Sequence, residues 1–523
     1  MTEVRQTEPK HKPASPAASP IGARAFRGGL WQSAAQVAPF GYAMIASIVA
    51  ARVLGPELMG RQSFIAFVIV VTTTLFSGGI GNTIVRWVGE LRGRGRERLL
   101  PSLVAWGWKT TTSLGIVAGL ILVGLAAAGA APAWAWVFAA VAAFAGIVNK
   151  VPGSTLIGTQ RWRSQAVVVV STGAAAVAAT IVVLLAGGGV TGMIGITAAA
   201  AVAMVIWTTV LSRRRLREIT LEREPLGPVR TELIRYSLAL SVPVILNLVV
   251  VQRSELFFLE HFSSDTQIAY YSIAFSATAA LTAVPAAIGS ILTPSVASLL
   301  GSGEVHRIRR GYSRVLRLGL LFSLPLTAAG LALGPTLVHL VYGPKYKGVG
   351  DVLVVILLTL PLVPLAGASN ALLIGYGRVR APIIVGSIAA AVDLGLAALL
   401  VPRFDAVGAA VANSAASLTA SAIVITFAVR LVGGVGIGWT SILRISFASV
   451  LAGTLARLVL VAGHDVTFFV IALAVEIAVL AVTAAALRVV PAEDATFLVQ
   501  AFKGGARITR VFQRLSGQQI GVD

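Results

Sequence analysis

Apolar residues in this chain come in long blocks separated by short polar or basic connections. Fourteen blocks, at about 29–51, 62–85, 101–127, 132–149, 165–186, 190–211, 236–259, 268–299, 315–342, 350–374, 382–402, 406–429, 445–463 and 467–487, are long enough to cross a bilayer. The hydrocarbon core is roughly 30 Å thick, which a helix of about 20 residues spans. Helices satisfy their own backbone hydrogen bonds in lipid. The pattern therefore predicts an all-α polytopic membrane protein with about fourteen transmembrane helices. The stretch 1–28 is rich in Pro, Ala, Ser and Lys and reads as a disordered tail, and 489–523 reads as a second tail. The first block has no separate short apolar region of the kind a cleaved signal peptide shows, so it stays as helix one.

Two segments repeat. LIGTQRWR, Leu156 to Arg163, and LIGYGRVR, Leu373 to Arg380, lie 217 residues apart with both arginines in register. The apolar flanks Ser171 to Leu185 and Gly386 to Leu400 continue the match. An offset of six helices preserves orientation, so the chain reads as two parallel six-helix repeats, over 29–211 and 236–429, with two extra helices over 445–487.

Composition agrees with the pattern. The 523 residues are 56% hydrophobic and 12% charged, against about a quarter charged in soluble domains. Mean hydropathy is +0.86. Of the 42 basic residues, 34 fall in connections on the amino-terminal side, 5 on the opposite side, and Lys109, Arg253 and Arg457 inside helices. Positive charge marks the cytoplasmic side, so a multi-pass inner-membrane protein with both termini cytoplasmic is expected. The net charge of +21 is then explained by anionic membrane lipids as partners, without nucleic acid. Gly504 to Leu515 alternates apolar and basic residues at helical spacing, which suits the inner leaflet or a plain solvated end.

Much chemistry is excluded. There is no cysteine, hence no disulfide, thiolate metal site or cysteine nucleophile. No lysine follows a glycine, so a Walker A loop is absent. Gly187, Gly189 and Gly192 satisfy G-x-G-x-x-G but sit in a hairpin between apolar helices with no strand before them. The five histidines are scattered without metal-ligand spacing. No cofactor or metal is expected. A membrane glycosyltransferase or polymerase would need an acidic external segment, and the nearest, Glu260 to Gln267, is short.

Polar residues inside the membrane are costly and mark function. Helix seven carries Pro243, Asn247, Gln252, Arg253 and Glu255, with Arg253 some 26 Å from its cytoplasmic end at about 1.5 Å per residue. Arg253 reads as a cation for an anionic substrate, or one that snorkels outward or pairs with Glu260. Lys109 lies about 12 Å into helix three, as a second substrate contact or a snorkelling lysine. Gln32 and Gln36 share one face of helix one below Pro39 and suit a polar lumen. Asp393, midway along helix eleven, and Glu255 are the candidates for a proton or sodium site. Arg457 and Glu476 reach similar depth in helices thirteen and fourteen and read as a structural ion pair.

These residues stand within stretches that resemble a known family. Ala51 to Phe64 (ARVLGPELMGRQSF), Gln252 to Phe275, Val284 to Leu300, Leu337 to Leu358 and Leu400 to Leu418 look like the polysaccharide-transporter, or Wzx-type, branch of the multidrug/oligosaccharidyl-lipid/polysaccharide (MOP) flippase superfamily. The resemblance covers about 25 to 430. It implies two six-helix lobes around a central cavity, and transport of polyprenyl-diphosphate-linked oligosaccharides across the cytoplasmic membrane by alternating access. It also implies that basic lumen residues hold the diphosphate, which strengthens Arg253 and, at the outer mouth, Arg52. A lipid-linked glycan is the expected substrate and polysaccharide polymerase machinery a possible partner. An ion-coupled multidrug antiporter of the same superfamily is the alternative, and a membrane glycosyltransferase or polymerase the third reading.

Overall fold

The two longest helices cannot be straight. The computed structural model describes residues 20–491 except 221, 228, 252, 379 and 437, together with Asp494; within several helices some side chains lie outside the description. α1 (Pro20–Ser77) has 58 residues and α13 (Arg380–Leu431) has 52. At about 1.5 Å per residue, either would run well past the thickness of a bilayer. Each is two helical segments meeting at a non-helical residue: Gly55, at φ 78 and ψ 173, and Asp405, at φ 48 and ψ −131. The remaining helices are α2 (Ile80–Gly93), α3 (Leu100–Ala127), α4 (Ala133–Gly158), α5 (Trp162–Leu185), α6 (Gly189–Ile219), α7 (Val229–Val251), α8 (Glu255–Phe262), α9 (Asp265–Gly301), α10 (Val305–Tyr342), α11 (Val349–Leu357), α12 (Val363–Gly375), α14 (Trp439–Ala462) and α15 (Val466–Ala486). No strand occurs among the described residues.

The fold is all-helical and polytopic. Among the described residues, nine helices are long and apolar enough to cross a membrane. All fourteen apolar blocks fall on helical backbone, though not one helix to a block. The block at 236–259 is α7 and α8 with a break between, and 350–374 is α11 and α12 around a turn at 358–362. Others are longer than their apolar pattern: α4 carries Pro152 inside it and ends at Gly158, beyond the expected end at 149. α14 starts at Trp439, six residues before the expected start.

Helices α1 to α6 pack on one another, as do α9 to α13 with α7 and α8, while α14 and α15 pack together and against α10. α1 also packs along α9, joining the two halves.

The duplicated segments have the same local geometry. α4 ends with Gln160 at φ 60, and α12 ends with Gly377 at φ 73, 217 positions later. In the first turn the Gln160 amide donates to the Ile157 carbonyl (2.9 Å) and the Arg161 amide to Leu156 (2.8 Å). In the second, the Gly377 amide donates to Ile374 (2.9 Å) and the Arg378 amide to Leu373 (2.8 Å). Both are Schellman caps, in which a left-handed residue lets the chain satisfy the last helical carbonyls. Glycine takes that conformation freely and glutamine does not. Replacing Gln160→Gly is therefore expected to stabilise the protein by about 0.5–1 kcal/mol and Gly377→Val to destabilise it by about 1–2 kcal/mol, read as opposite shifts of the thermal unfolding midpoint in detergent.

Candidate functional site

The break between α7 and α8 is centred on Arg253, whose φ of 62 puts a bulky residue in the left-handed region. Such a conformation is costly for a non-glycine residue and concentrates where function requires it. Its effect is to send three consecutive side chains in different directions. The Arg253 guanidinium lies over the Phe275 ring of α9, 5.3 Å from its centroid. Ser254 donates its hydroxyl to Asp393 Oδ2 at 2.8 Å, and Glu255 opens α8 fully buried.

Glu255 is held at both oxygens. Tyr271 of α9 donates its hydroxyl to Oε2 at 2.9 Å, and Asn413 Nδ2 donates to Oε1 at 2.8 Å. Asp393 and Asn413 lie on the two segments of α13, so the kink at Asp405 folds both toward α8. Glu255, Asp393 and Tyr271 are 0% exposed. Asp393 Oδ1 is buried without a hydrogen-bond partner among the described residues. Two closely placed buried carboxyls cannot both carry unscreened charge, so the cluster requires a proton or a cation. The arrangement of carboxyl, hydroxyl and amide oxygens could accept either. Among the described residues no group of three or more metal-ligating side chains is present.

The amino-terminal half has the opposite polarity. No acidic residue occurs between Glu97 and Glu218, whereas Lys150 stands within α4, about 12 Å from its end. Lys150 is the one exposed residue between Ala142 and Leu156, on a helix packed against α1, α2, α3, α5 and α6. Gly81 at the start of α2 borders Lys150: a Cβ there would come 3.8 Å from the Lys150 Cβ and 3.1 Å from the Ser154 hydroxyl.

On the side with few basic residues the halves are latched. Arg61 of α1 pairs with Glu260 of α8 at 2.5 Å. Arg52 donates to the carbonyls of Val341 (2.7 Å) and Leu340 (2.8 Å) at the end of α10. The Tyr346 hydroxyl donates to the Ala51 carbonyl at 2.9 Å. Gly60 meets the Asp265 carbonyl so closely that a Cβ would lie 1.6 Å from its oxygen. On the basic side, the amide of Gly79, the residue before α2, donates to the Ser241 hydroxyl of α7 (3.0 Å), and the Ser237 hydroxyl of α7 donates to Thr83 Oγ1 of α2 (2.9 Å).

Several sequence expectations change. Arg253 and Glu255 do not lie on one continuous helix, because the chain breaks at this point between α7 and α8. Glu260 engages Arg61 and not Arg253. Arg52 caps α10, so its guanidinium is occupied by backbone carbonyls. Lys109 shares a face of α3 with Ser113, Ile116 and Leu120, all exposed, the last two large and apolar. That is a lipid-facing stripe, which favours snorkelling over substrate contact. The Arg457 and Glu476 pair is not made: Arg457 is exposed, while Glu476 is 4% exposed with Oε2 lacking a partner. Because α14 begins at Trp439, Arg457 lies nearer its far end than the apolar pattern suggested, and on another face. Gln252, and the side chains of Gln32, Gln36 and Asn247, lie outside the described residues. Sequence reasoning passed over Ser254, Tyr271, Asn413 and Lys150. Lys150 was detectable as a cation in a long acid-free stretch, but Pro152 made it look like loop.

The comparisons fit this geometry. The polysaccharide biosynthesis protein family matches residues 49–350. The chain belongs to that family. Among solved structures, the lipid II flippase MurJ in an inward closed conformation is similar over 92% of this chain and 99% of its own, with TM-score 0.63 and 14% identity. An inward-facing multidrug resistance MATE transporter of the MOP superfamily covers 76% of this chain and 94% of its own, with TM-score 0.64 and 15% identity. A MOP superfamily transporter from Pyrococcus furiosus, described with a binding pocket of reverse polarity, covers 78% and 95%, with TM-score 0.58 and 14% identity. At such identities the likeness is one of fold. A search of curated proteins finds no match. This family member is thus a multi-pass membrane protein with the fold of MOP transporters and flippases.

Two outcomes check the geometry. Asn413→Leu removes a donor from buried Glu255 and is expected to cost about 1–3 kcal/mol, seen as a lower unfolding midpoint. Gly60→Val forces a side chain against the Asp265 backbone carbonyl and is expected to cost about 1–3 kcal/mol and loosen the contact between α1 and α9, seen as a lower unfolding midpoint in detergent.

Proposed function

We propose that this protein flips a polyprenyl-diphosphate-linked oligosaccharide across the cytoplasmic membrane by alternating access, with the basic side cytoplasmic. The observation that carries the reading is the cationic, acid-free interior of the amino-terminal half around Lys150, together with Arg253 in the opposite half. A diphosphate cannot cross hydrocarbon unaided, and cations in a wet recess replace its hydration while the polyprenyl chain stays in lipid. The latch on the sparsely charged side corresponds to a state closed to the exterior. No bond of the substrate needs to be made or broken. The Glu255 and Asp393 cluster suits a coupling proton or sodium ion, whose binding would bias one of the two states.

The buried carboxyl pair also favours a second reading, an ion-coupled antiporter of cationic drugs. Variants separate the two. For the flippase, Arg253→Ala and Lys150→Ala should each slow translocation of the lipid-linked glycan in proteoliposomes by about ten- to a hundredfold, the loss of a charge-assisted hydrogen bond. Depletion in cells should remove a surface glycan and accumulate its lipid-linked precursor on the inner leaflet. Undiminished translocation by Arg253→Ala, with loss of drug efflux in Asp393→Asn, would establish the antiporter instead.

A further inference from the structure

We propose that one stretch of chain, from Gly60 to Thr83, carries both gates of this protein: Gly60 closes the sparsely charged mouth against α9, and Gly79 closes the basic mouth against α7. The structure is then an occluded state, shut at both ends. This rests on the alternating-access reading above and not on the cargo. Gly60 and Gly79 stand 19 positions apart. At about 1.5 Å per residue that is close to the thickness of the hydrocarbon core, so one stretch reaches both mouths.

Each glycine is kept bare by the opposite half. Gly79 has φ −82 and ψ 2, a conformation that most residues adopt in turns, so its own backbone does not ask for glycine. What asks for it is α7: a Cβ at position 79 would lie 2.5 Å from both the Leu240 Cβ and the Ser237 carbonyl oxygen. Gly60 lies inside α1, where glycine weakens a helix. There the Asp265 carbonyl at the start of α9 leaves no room for a side chain. Two helices of one half thus press on two glycines of the other, one at each mouth.

The contact on the basic side is built to separate. Leu233, Ser237 and Ser241 recur at helical spacing on one face of α7. Leu233 is 0% exposed, in an apolar cluster with Ile80, Ile84, Trp87 and Leu91 of α2. Beside it four hydrogen bonds close a circuit. The Gly79 amide donates to the Ser241 hydroxyl (3.0 Å), which donates to the Ser237 carbonyl (2.9 Å); the Ser237 hydroxyl donates to Thr83 Oγ1 (2.9 Å), which donates to the Gly79 carbonyl (2.9 Å). Two of the four cross between the halves. Among the described residues no ion pair joins α2 to α7, whereas Arg61 and Glu260 pair at the other mouth. Opening the circuit therefore frees neutral groups that water can satisfy, at modest net cost. One turn nearer the basic connections, the Arg86 guanidinium lies 4.2 Å from the centroid of the Tyr236 ring.

The test is a spin-label distance measurement on the full chain in detergent, which has no cysteine of its own. One pair of labels, on cysteines replacing exposed Gly89 of α2 and Glu232 of α7, spans the basic mouth; a second, replacing exposed Glu57 of α1 and Ser264 before α9, spans the other. Gly79→Ala should raise the long-distance population of the first pair about tenfold and leave the second unchanged, and Gly60→Ala should do the reverse. Ser237→Ala with Ser241→Ala removes hydroxyls from the circuit without adding bulk, and should open the first pair about fivefold. Gly93→Ala, where nothing lies within 4 Å, should move neither pair. Unchanged distances across the basic mouth in both Gly79→Ala and the double serine variant would overturn the proposal. So would a lengthening of both pairs together in either glycine variant, which would mean that the halves loosen as a whole. No cargo enters the measurement, so its outcome is independent of whether a lipid-linked glycan is moved.

Discussion

The cost of charge within the membrane governs this structure. A carboxylate at that depth must find donors, a counter-ion or a proton inside the protein, because the surrounding lipid supplies none. Glu255 shows how far the chain goes to meet that demand. Its two oxygens take one donor from α9 and one from α13, and the adjacent Ser254 serves Asp393. None of this is possible on an unbroken helix, since residues 253 to 255 would then fan out at fixed angles of about 100°. The left-handed Arg253 is the local expense that lets a cation, a hydroxyl and a carboxyl from one short segment reach separate partners.

Charge is also divided between the halves. The amino-terminal half holds cations without an acid from Arg98 to Arg217, and the carboxyl-terminal half holds buried acids around Arg253. What joins the halves on the sparsely charged side is mostly backbone: Arg52 on two carbonyls, Tyr346 on a third, and Gly60 against a fourth. Such contacts depend on close approach more than on side-chain identity. α10 takes part in this latch at one end and holds Asp494 near the other, so a single helix meets both surfaces.

The helical class and the duplication were legible because they rest on local regularities. Apolar block length reports membrane crossing, and the copied segment at 217 residues reports a copied turn, down to equivalent hydrogen bonds at Gln160 and Gly377. Helix ends were read less well. Pro152 and Lys150 resemble a connection in sequence, but a proline is tolerated inside a membrane helix when its neighbours satisfy the freed carbonyl. Arg457 and Glu476 show the other limit, since a depth counted along the apolar pattern fixes neither the helix end nor the face a residue occupies.

By itself, then, the sequence determined the solvent of this protein, its helical class, its repeat and the short list of costly residues, because each follows from composition or from spacing along one element. Tertiary structure decided which of those residues meet. Ser254 and Glu255 at the start of α8, Tyr271 on α9, and Asp393 and Asn413 on the two segments of α13 meet, and Lys150 stands exposed on a helix that packs against five others. Partnership across helices depends on rotation about each axis and on breaks such as Arg253 and Asp405, which are fixed by packing between elements and not by the period within one.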